Sequence, residues 1–178
     1  MPPNPLSVTE YAVLGILGEG PTHGFAIARL FDSFGEVGRV ITVRRPLIYR
    51  ALDRLSLAHL AEAIHAEPGD AGPQRIIHRI TPTGRRRLNR WLRQPVQHVR
   101  EMRIELLLKL TLLQRAGRSP LPLITAQKAV LHPTLVALEK PVGEAPNHVE
   151  LWRRHNALAV AAFLDDLEEA WDRDERNV

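Results

Sequence analysis

The opening of the chain predicts two short helices. Ser7 and Glu10 form a capping box, in which the serine side chain accepts the backbone amide of Glu10 and the glutamate side chain reaches back, so a helix is expected over about 8–18. A Gly-Pro turn ends it, and Thr22 is the predicted cap of a second helix over about 23–34. The apolar side chains expected to bury one side of the second helix are Phe25, Ala28, Leu30, Phe31 and Phe34.

A third helix is predicted over about 45–59, with Pro46 in its first turn, where a missing amide is harmless. At 100° per residue, one face of this helix collects the aliphatic residues Ile48, Ala51, Leu52 and Leu55. The other side carries Pro46, Tyr49, Arg50, Asp53 and Arg54, with Arg44 and Arg45 at the N-terminus. The helix is therefore expected to bury its aliphatic side chains and to present an aromatic ring and several arginines to solvent.

After this helix the helical spacing of apolar residues ends, and two short segments typical of β-strands follow. Residues 61–67 and 74–80 flank the Gly/Pro-rich segment 68–73, which predicts a β-hairpin. Thr81 and Pro82 combine an N-cap with a first-turn proline and open a fourth helix that runs to about Leu92. From there the pattern is helical, with helices predicted over about 98–115, about 121–140 and about 148–172.

This order of elements is typical of a winged helix-turn-helix. The predicted fold is mainly α with a small β-hairpin wing, divided into a DNA-binding domain over 1–94 and a helical dimerisation domain over 95–178. The second half has apolar stripes but no sheet to close a core, so pairing with a second copy of the chain is expected. The residues of these stripes are Leu106, Leu107, Leu110 and Leu113 in one helix and Leu151, Leu158, Ala162, Leu164 and Trp171 in the last.

The distribution of charge supports a polyanion-binding surface. The chain has a net charge of +4, but residues 1–38 carry a net −3, residues 39–103 a net +9 and residues 104–178 a net −2. A basic middle between two acidic ends is the pattern expected of nucleic-acid binding, and the alternative is a solvated charged face. Nearly all of the cations of the chain are arginines, which suit forked contacts to phosphate or guanine.

Composition narrows the class of protein further. Cysteine is absent, which favours the cytoplasm and excludes thiol chemistry. We expect no membrane partner, since no apolar run approaches the roughly 18 residues that a span requires. The chain contains no Gly-rich phosphate loop and no Gly-x-Ser-x-Gly elbow, so we do not expect an enzyme. The histidines are scattered, and although His65 and His78 lie on the two wing strands, no metal or other cofactor is expected.

Three segments carry a family resemblance: Thr22-His23-Gly24-Phe25, Leu47-Ile48-Tyr49-Arg50-Ala51-Leu52-Asp53-Arg54-Leu55 and Ile80-Thr81-Pro82-Thr83-Gly84-Arg85. Together they resemble the PadR family of regulators, in the start of its second helix, its recognition helix and the segment after its wing. Residues 103–110 and 163–167 are similar to parts of the longer members. The resemblance is strong over 7–94 and loose after 115.

The resemblance implies a cytoplasmic homodimer, usually a repressor, that binds a palindromic operator in double-stranded DNA. In some members a small aromatic effector, bound near the dimer interface, releases the DNA. Tyr49 matches the tyrosine of the family's recognition helix, which implies contact with the DNA backbone. The chain departs from the family where it has Leu57-Ala58-His59-Leu60 in place of a glycine after this helix, and where the helix begins with Arg44-Arg45-Pro46.

The candidate DNA-binding residues are Thr22, His23, Arg44, Arg45, Tyr49, Arg50, Arg54, Arg75 and Arg79. Arg44 and Arg45 are favoured, because a helix N-terminus also attracts phosphate. For Arg50 and Arg54 the alternative is a solvated helix face on which Asp53 dilutes the positive charge.

Trp91 is the candidate contact for an effector, and the alternative is that its ring fills the packing between helices. Two other functions stay open from the sequence. One is a winged-helix protein-interaction module without DNA binding, and the other is a MarR-like regulator, which usually has flanking helices at both chain ends.

Overall fold

The computed structural model describes residues 5–68, 74–138 and 147–175, and within these ranges the fold is mainly helical with a small antiparallel sheet, as predicted. Parts of two sequence predictions, the Gly/Pro-rich segment 68–73 and the end of the helix expected to reach 140, lie outside the described residues. In chain order the elements are α1 (Val8–Glu19), β1 (Thr22–His23), α2 (Gly24–Leu30), α3 (Arg45–Leu57), β2 (Ala61–Glu67), β3 (Arg75–Ile80), α4 (Pro82–Arg93), α5 (Val99–Glu101), a π-helical turn (Met102–Leu106), α6 (Leu107–Arg115), α7 (Leu121–Leu138) and α8 (His148–Glu175).

Helix α1 begins with the predicted capping box. The amide of Glu10 donates to Ser7 Oγ (3.3 Å), and the amide of Ser7 donates to Glu10 Oε2 (2.6 Å). The six residues from Ala12 to Leu17 are all buried, so this helix has no solvent face along its middle.

Helix α2 is shorter than predicted and begins one residue later. Its N-cap is His23, whose Nδ1 accepts the amide of Ala26 (3.1 Å), and the prediction that Thr22 caps the helix was wrong. The helix ends at Leu30, and the prediction that Phe34 is buried was also wrong, since its side chain is 99% exposed. The chain instead turns tightly, with the amide of Gly38 donating to the carbonyl oxygen of Leu30 (2.9 Å).

The two predicted wing strands are confirmed, and β1 joins them as a third strand in the order β1-β3-β2. His78 of β3 lies between Thr22 of β1 and Ala63 of β2. An irregularity in β2 sets His65 opposite Ile77, so the two wing histidines are not cross-strand partners. Sequence periodicity did not indicate β1, because a strand of two residues leaves no alternation to detect.

Helix α3 ends without the glycine that usually adopts the left-handed conformation after the last turn of a helix. His59 adopts a left-handed backbone with φ of 55°, while the amide of Leu60 donates to the carbonyl oxygen of Leu55 (2.8 Å) and that of His59 to Ser56 (3.0 Å). These two bonds define a Schellman motif, in which glycine is the usual residue at the position of His59. The turn is held from outside as well, since Thr81 Oγ1 donates to the carbonyl oxygen of His59 (2.8 Å).

The chain forms two compact units, and its path crosses between them more than once. The first comprises the described part of Met1–Leu92 together with Leu107–Gly117, and the second comprises Arg93–Leu106 and the described residues from Arg118 onward. Helix α6, which sequence analysis placed in the dimerisation half, thus belongs to the same unit as the winged helix. Its side chains Leu108, Leu112 and Leu113 are buried there.

The second unit is built around α7 and α8, which pack against each other. Gln127 on α7 is fully buried, and its side-chain amide makes two hydrogen bonds with the backbone of Val96. Its Oε1 accepts from the amide of Val96 (2.8 Å), and its Nε2 donates to the carbonyl oxygen of Val96 (3.0 Å). Lys128 on the same helix pairs with Asp165 and Glu168 of α8, each at 2.6 Å, and these carboxylates raise its pKa to about 12. None of the described helices is long and apolar enough to cross a membrane.

Replacing the left-handed histidine should stabilise the protein. We expect His59→Gly to raise the free energy of unfolding by roughly 0.5–1 kcal/mol, because glycine adopts this conformation without the clash of a β-carbon. Urea denaturation followed by circular dichroism measures the change. The matched control is Ala58→Gly, at a residue with φ of −84°, which should lower stability. If His59→Gly destabilises the protein as much as the control does, the assignment of strain to His59 is wrong.

Candidate nucleic-acid interface

Helix α3 separates its side chains as the periodicity predicts. Ile48, Ala51, Leu52 and Leu55 are buried, whereas Arg44, Arg45, Pro46, Leu47, Tyr49, Arg50, Asp53 and Arg54 are exposed. The buried face contacts α1, α2 and β2. One helix of thirteen residues therefore presents a basic and aromatic surface while its other face is fixed to the core.

The N-terminus of α3 is unusually positive. Arg44 is the N-cap residue but makes no side-chain cap hydrogen bond, and Pro46 has no amide to offer. Arg45 places its guanidinium 4.9 Å from the centroid of the Phe25 ring, a cation–π contact that orients the side chain. Two arginines therefore lie at the end of the helix where the peptide dipoles already contribute positive charge.

Tyr49 lies against the start of α2. A β-carbon on Gly24 would stand 2.6 Å from Cε1 of the tyrosine, so the absence of a side chain at Gly24 allows the ring to occupy this place. Tyr49 is 47% exposed, which leaves part of its side chain accessible beside the basic N-terminus of its helix.

The remaining candidate arginines divide into two groups. Arg50 is exposed and makes no ion pair with a described residue. Arg54 lies 2.9 Å from the buried carboxylate of Glu10, and Arg79 lies 2.6 Å from Glu62 across the wing. Arg75 sits at the start of β3, opposite Glu67. Among the candidate arginines, those in the first two turns of α3 therefore make no ion pair with a described residue.

Thr22 and His23 play structural roles in the described fold. Both belong to β1 and pair with β3, and the ring of His23 also caps α2. His23 stacks on Phe25 with a centroid distance of 6.4 Å, so these residues support the aromatic ring beneath Arg45.

The central strand of the sheet carries a histidine with altered protonation. Burial lowers the pKa of His78, an effect opposed by the charge of Asp53 on α3. Its Nδ1 atom has no hydrogen-bond partner among the described residues. His78 is therefore neutral at pH 7 and adds no positive charge to the wing.

Trp91 lies in the core of the first unit. Its side chain is 6% exposed, the ring of Tyr11 stacks on it with a centroid distance of 4.3 Å, and Lys109 Nζ lies 4.7 Å from its centroid. The described surroundings of Trp91 match the packing alternative, and a role in effector contact stays a prediction.

Phe25 is a site residue that sequence reasoning missed, since it was expected to be buried and is 42% exposed. The buried residues of this segment are Gly24, Ile27, Ala28 and Phe31, which follow one helical stripe. Phe25 lies 100° off that stripe, so a helical projection that included Ile27 would have placed its ring outside.

Filling the space beside Tyr49 should weaken DNA binding without unfolding the protein. In Gly24→Ala the new methyl group would overlap Cε1 of Tyr49, and the half-exposed ring can move aside. We expect DNA affinity to fall roughly as much as in Tyr49→Ala, by about 1 kcal/mol. Fluorescence anisotropy with labelled DNA measures this change. The control is Gly20→Ala, where a β-carbon meets no atom within 4 Å. If Gly24→Ala and Gly20→Ala bind DNA with equal affinity, the predicted contact of Tyr49 with DNA is excluded.

The sequence of residues 13–90 matches the transcriptional regulator PadR-like family. No curated protein matches the chain. Among solved structures, Bacillus subtilis PadR in complex with operator DNA is 20% identical, with a TM-score of 0.49, and the alignment covers 92% of this chain and 99% of that one. The same protein in complex with p-coumaric acid is 20% identical with a TM-score of 0.43, covering 95% and 98% of the two chains.

The family match covers residues 13–90, which span α1 from Val13 through the wing and most of α4. The segments that carried the resemblance in the sequence lie within this range, apart from those of the second half. The winged-helix segment of this chain is thus similar in sequence to the PadR-like family of transcriptional regulators.

Proposed function

We propose that the chain is a cytoplasmic, sequence-specific DNA-binding regulator that acts as a homodimeric repressor on a palindromic operator. The match of residues 13–90 to the PadR-like family supports regulation of transcription, and the winged-helix geometry supports binding to double-stranded DNA. In this arrangement α3 enters the major groove and the hairpin of β2 and β3 lies along the neighbouring backbone.

The observation that carries the proposal is the uncompensated positive charge at the start of α3. Arg44 and Arg45 at a helix N-terminus cost the free protein roughly several tenths of a kcal/mol, because cations there oppose the helix dipole. Arg44 and Arg50 have no carboxylate partner among the described residues. A DNA phosphate would relieve this repulsion and accept the free backbone amide of the first turn, so the penalty in the free state becomes affinity in the complex.

Dimerisation is the second part of the proposal, and α8 supports it. The residues Ala157 and Leu164 face the core of the second unit, whereas Leu151, Trp152, Leu158, Ala162 and Phe163 are exposed. At 100° per residue the exposed set lies on the side of α8 opposite to the buried pair. Exposed apolar side chains opposite the packed face favour a second partner, and a copy of the same helix supplies one by two-fold symmetry.

Release by a small aromatic effector completes the proposal and is supported by the family resemblance. If such a molecule reached Trp91, it would have to displace Tyr11 or Lys109, which contact the ring. Tyr11 belongs to α1, the helix against which α3 packs. Effector binding at Trp91 would therefore disturb the support of the recognition helix.

Selection of preferred sequences from a random DNA pool tests the function as a whole. A two-fold symmetric consensus with half-sites about one helical turn apart is expected for the dimer. A protein that shows no salt-dependent binding to any DNA would instead be a protein-interaction module with the winged-helix shape.

Removing the paired arginines should change the salt dependence of binding. In Arg44→Ala/Arg45→Ala we expect weaker operator binding, and a slope of log K against log salt that is smaller by about 0.9 for each phosphate that the variant no longer neutralises. The control is Arg100→Ala, which removes an exposed arginine of α5 that makes no ion pair with a described residue. An unchanged slope and affinity in the double variant would refute the assignment of this helix end to DNA.

A charge on the exposed face of α8 should separate the dimer. We expect Leu158→Glu to shift the solution mass from twice 20.1 kDa to 20.1 kDa, because burying an unpaired carboxylate at the interface is costly. Light scattering after gel filtration measures the mass. Leu57→Glu, at a leucine of α3 that is 80% exposed, is the matched control and should leave the dimer intact. A Leu158→Glu variant that keeps the wild-type mass would exclude α8 as the interface.

A further inference from the structure

Arg115, the last residue of α6, holds two carboxylates from distant parts of the first unit. Its Nε and Nη2 atoms donate to Glu19 at the end of α1 (2.7 and 2.6 Å), and its Nη1 donates to Glu36. The side chain of Arg115 is 18% exposed, so solvent screens these pairs less than an ordinary surface pair. The hydrogen bond with Glu19, followed by the other contacts with both carboxylates, raises the pKa of Arg115 despite partial burial.

The helix that carries Arg115 is fixed to the same unit. Leu112 packs so closely on Gly15 of α1 that a β-carbon there would lie 2.6 Å from Cδ1 of the leucine. Lys109, only 1% exposed, extends over the ring of Trp91. The position of Arg115 relative to α1 is therefore set by packing on both preceding turns of α6.

Glu36 lies in the segment that leads into the DNA-binding helix. This segment turns on itself through hydrogen bonds from the amide of Arg39 to Gly35 (3.0 Å) and from the amide of Ile41 to Val37 (2.9 Å). Val37, next to Glu36, is fully buried, and the chain continues within a few residues to Arg44. Holding Glu36 consequently limits where the N-terminus of α3 can lie.

We propose that Arg115 is a positioning residue for DNA binding, acting through Glu36 on the segment that presents Arg44 and Arg45. Arg115 does not itself touch the DNA. This role rests on the proposed function, and it makes α6 part of the unit that binds DNA.

A variant of Glu36 distinguishes a positioning role from a purely electrostatic effect on DNA affinity, because the two predict changes of opposite sign. Replacing Glu36 by alanine removes a negative charge, which by long-range attraction alone would strengthen binding to DNA. If Glu36 instead holds the segment before α3, its removal weakens binding. Glu36 is 68% exposed, so this variant retains the buried core.

The experiment measures operator affinity, salt slope and active fraction for the full-length wild type, Glu36→Ala, Arg115→Gln and the double variant. We expect each single variant to raise Kd by roughly three- to tenfold at an unchanged salt slope and an unchanged active fraction. In the double variant the weakening should be about that of Arg115→Gln alone, because both changes break one interaction. Arg115→Lys, which keeps the charge but not the fork, should give an intermediate Kd.

The outcomes separate this proposal from the function on which it rests. Wild-type protein that binds no DNA would overturn the proposed function. Wild-type protein that binds, together with a Glu36→Ala variant of equal or higher affinity, would overturn the role of Arg115 alone. A slope lowered by about 0.9 in Arg115→Gln would also overturn it, since Arg115 would then contact a phosphate directly. A decrease confined to the active fraction, with Kd unchanged, would reduce Arg115 to a stabilising residue.

Discussion

The burial of α1 on every side is the constraint on which the winged-helix unit depends. Because Ala12 to Leu17 are all buried, each side of the helix needs a different partner, and α3, β3 and α6 provide them. Tyr11 extends this support to α4 by stacking on Trp91. A single helix without a solvent face along its middle thereby fixes α3 and the sheet in one frame, and packing at native density transmits any displacement among them.

Helix α1 also holds a buried charge, which pairs with one of the candidate arginines of α3. Glu10 is 2% exposed, and a buried carboxylate is tolerated only when hydrogen bonds and an opposite charge surround it. The amide and hydroxyl of Ser7 supply the hydrogen bonds, and Arg54 supplies the charge. Arg54 is thus committed to the fold, although its helical phase is close to that of Arg50, which has no such partner among the described residues. Position on a helix face alone does not separate the two roles.

Sequence reasoning succeeded where a contact repeats within one element and missed what depends on distant residues. The capping box at Ser7 and the two faces of α3 follow from spacings of three and four residues. The placement of α6 in the first unit does not follow from such spacings. It depends on contacts between Leu112 and Gly15 and between Arg115 and Glu19, which are almost a hundred positions apart. The apolar stripe predicted for α8 is only partly buried, since Leu164 lies in the core while Leu151 and Leu158 are exposed, and α6 packs within the first unit through Leu108, Leu112 and Leu113. Among the predicted site residues, His23 took a capping role that only its contact with Ala26 reveals.

The two ends of α3 carry residues that are unfavourable there, and the two ends differ in how the fold compensates for them. At its C-terminus, His59 occupies a left-handed conformation suited to glycine, but hydrogen bonds to Leu55, Ser56 and Thr81 hold this turn from within the protein. At its N-terminus, Arg44 adds a cation to the positive end of the helix dipole, and no described carboxylate pairs with it. The left-handed conformation of His59 is therefore compensated by hydrogen bonds within the protein. On the proposed function, the phosphates of bound DNA would offset the repulsion at Arg44 from outside the protein.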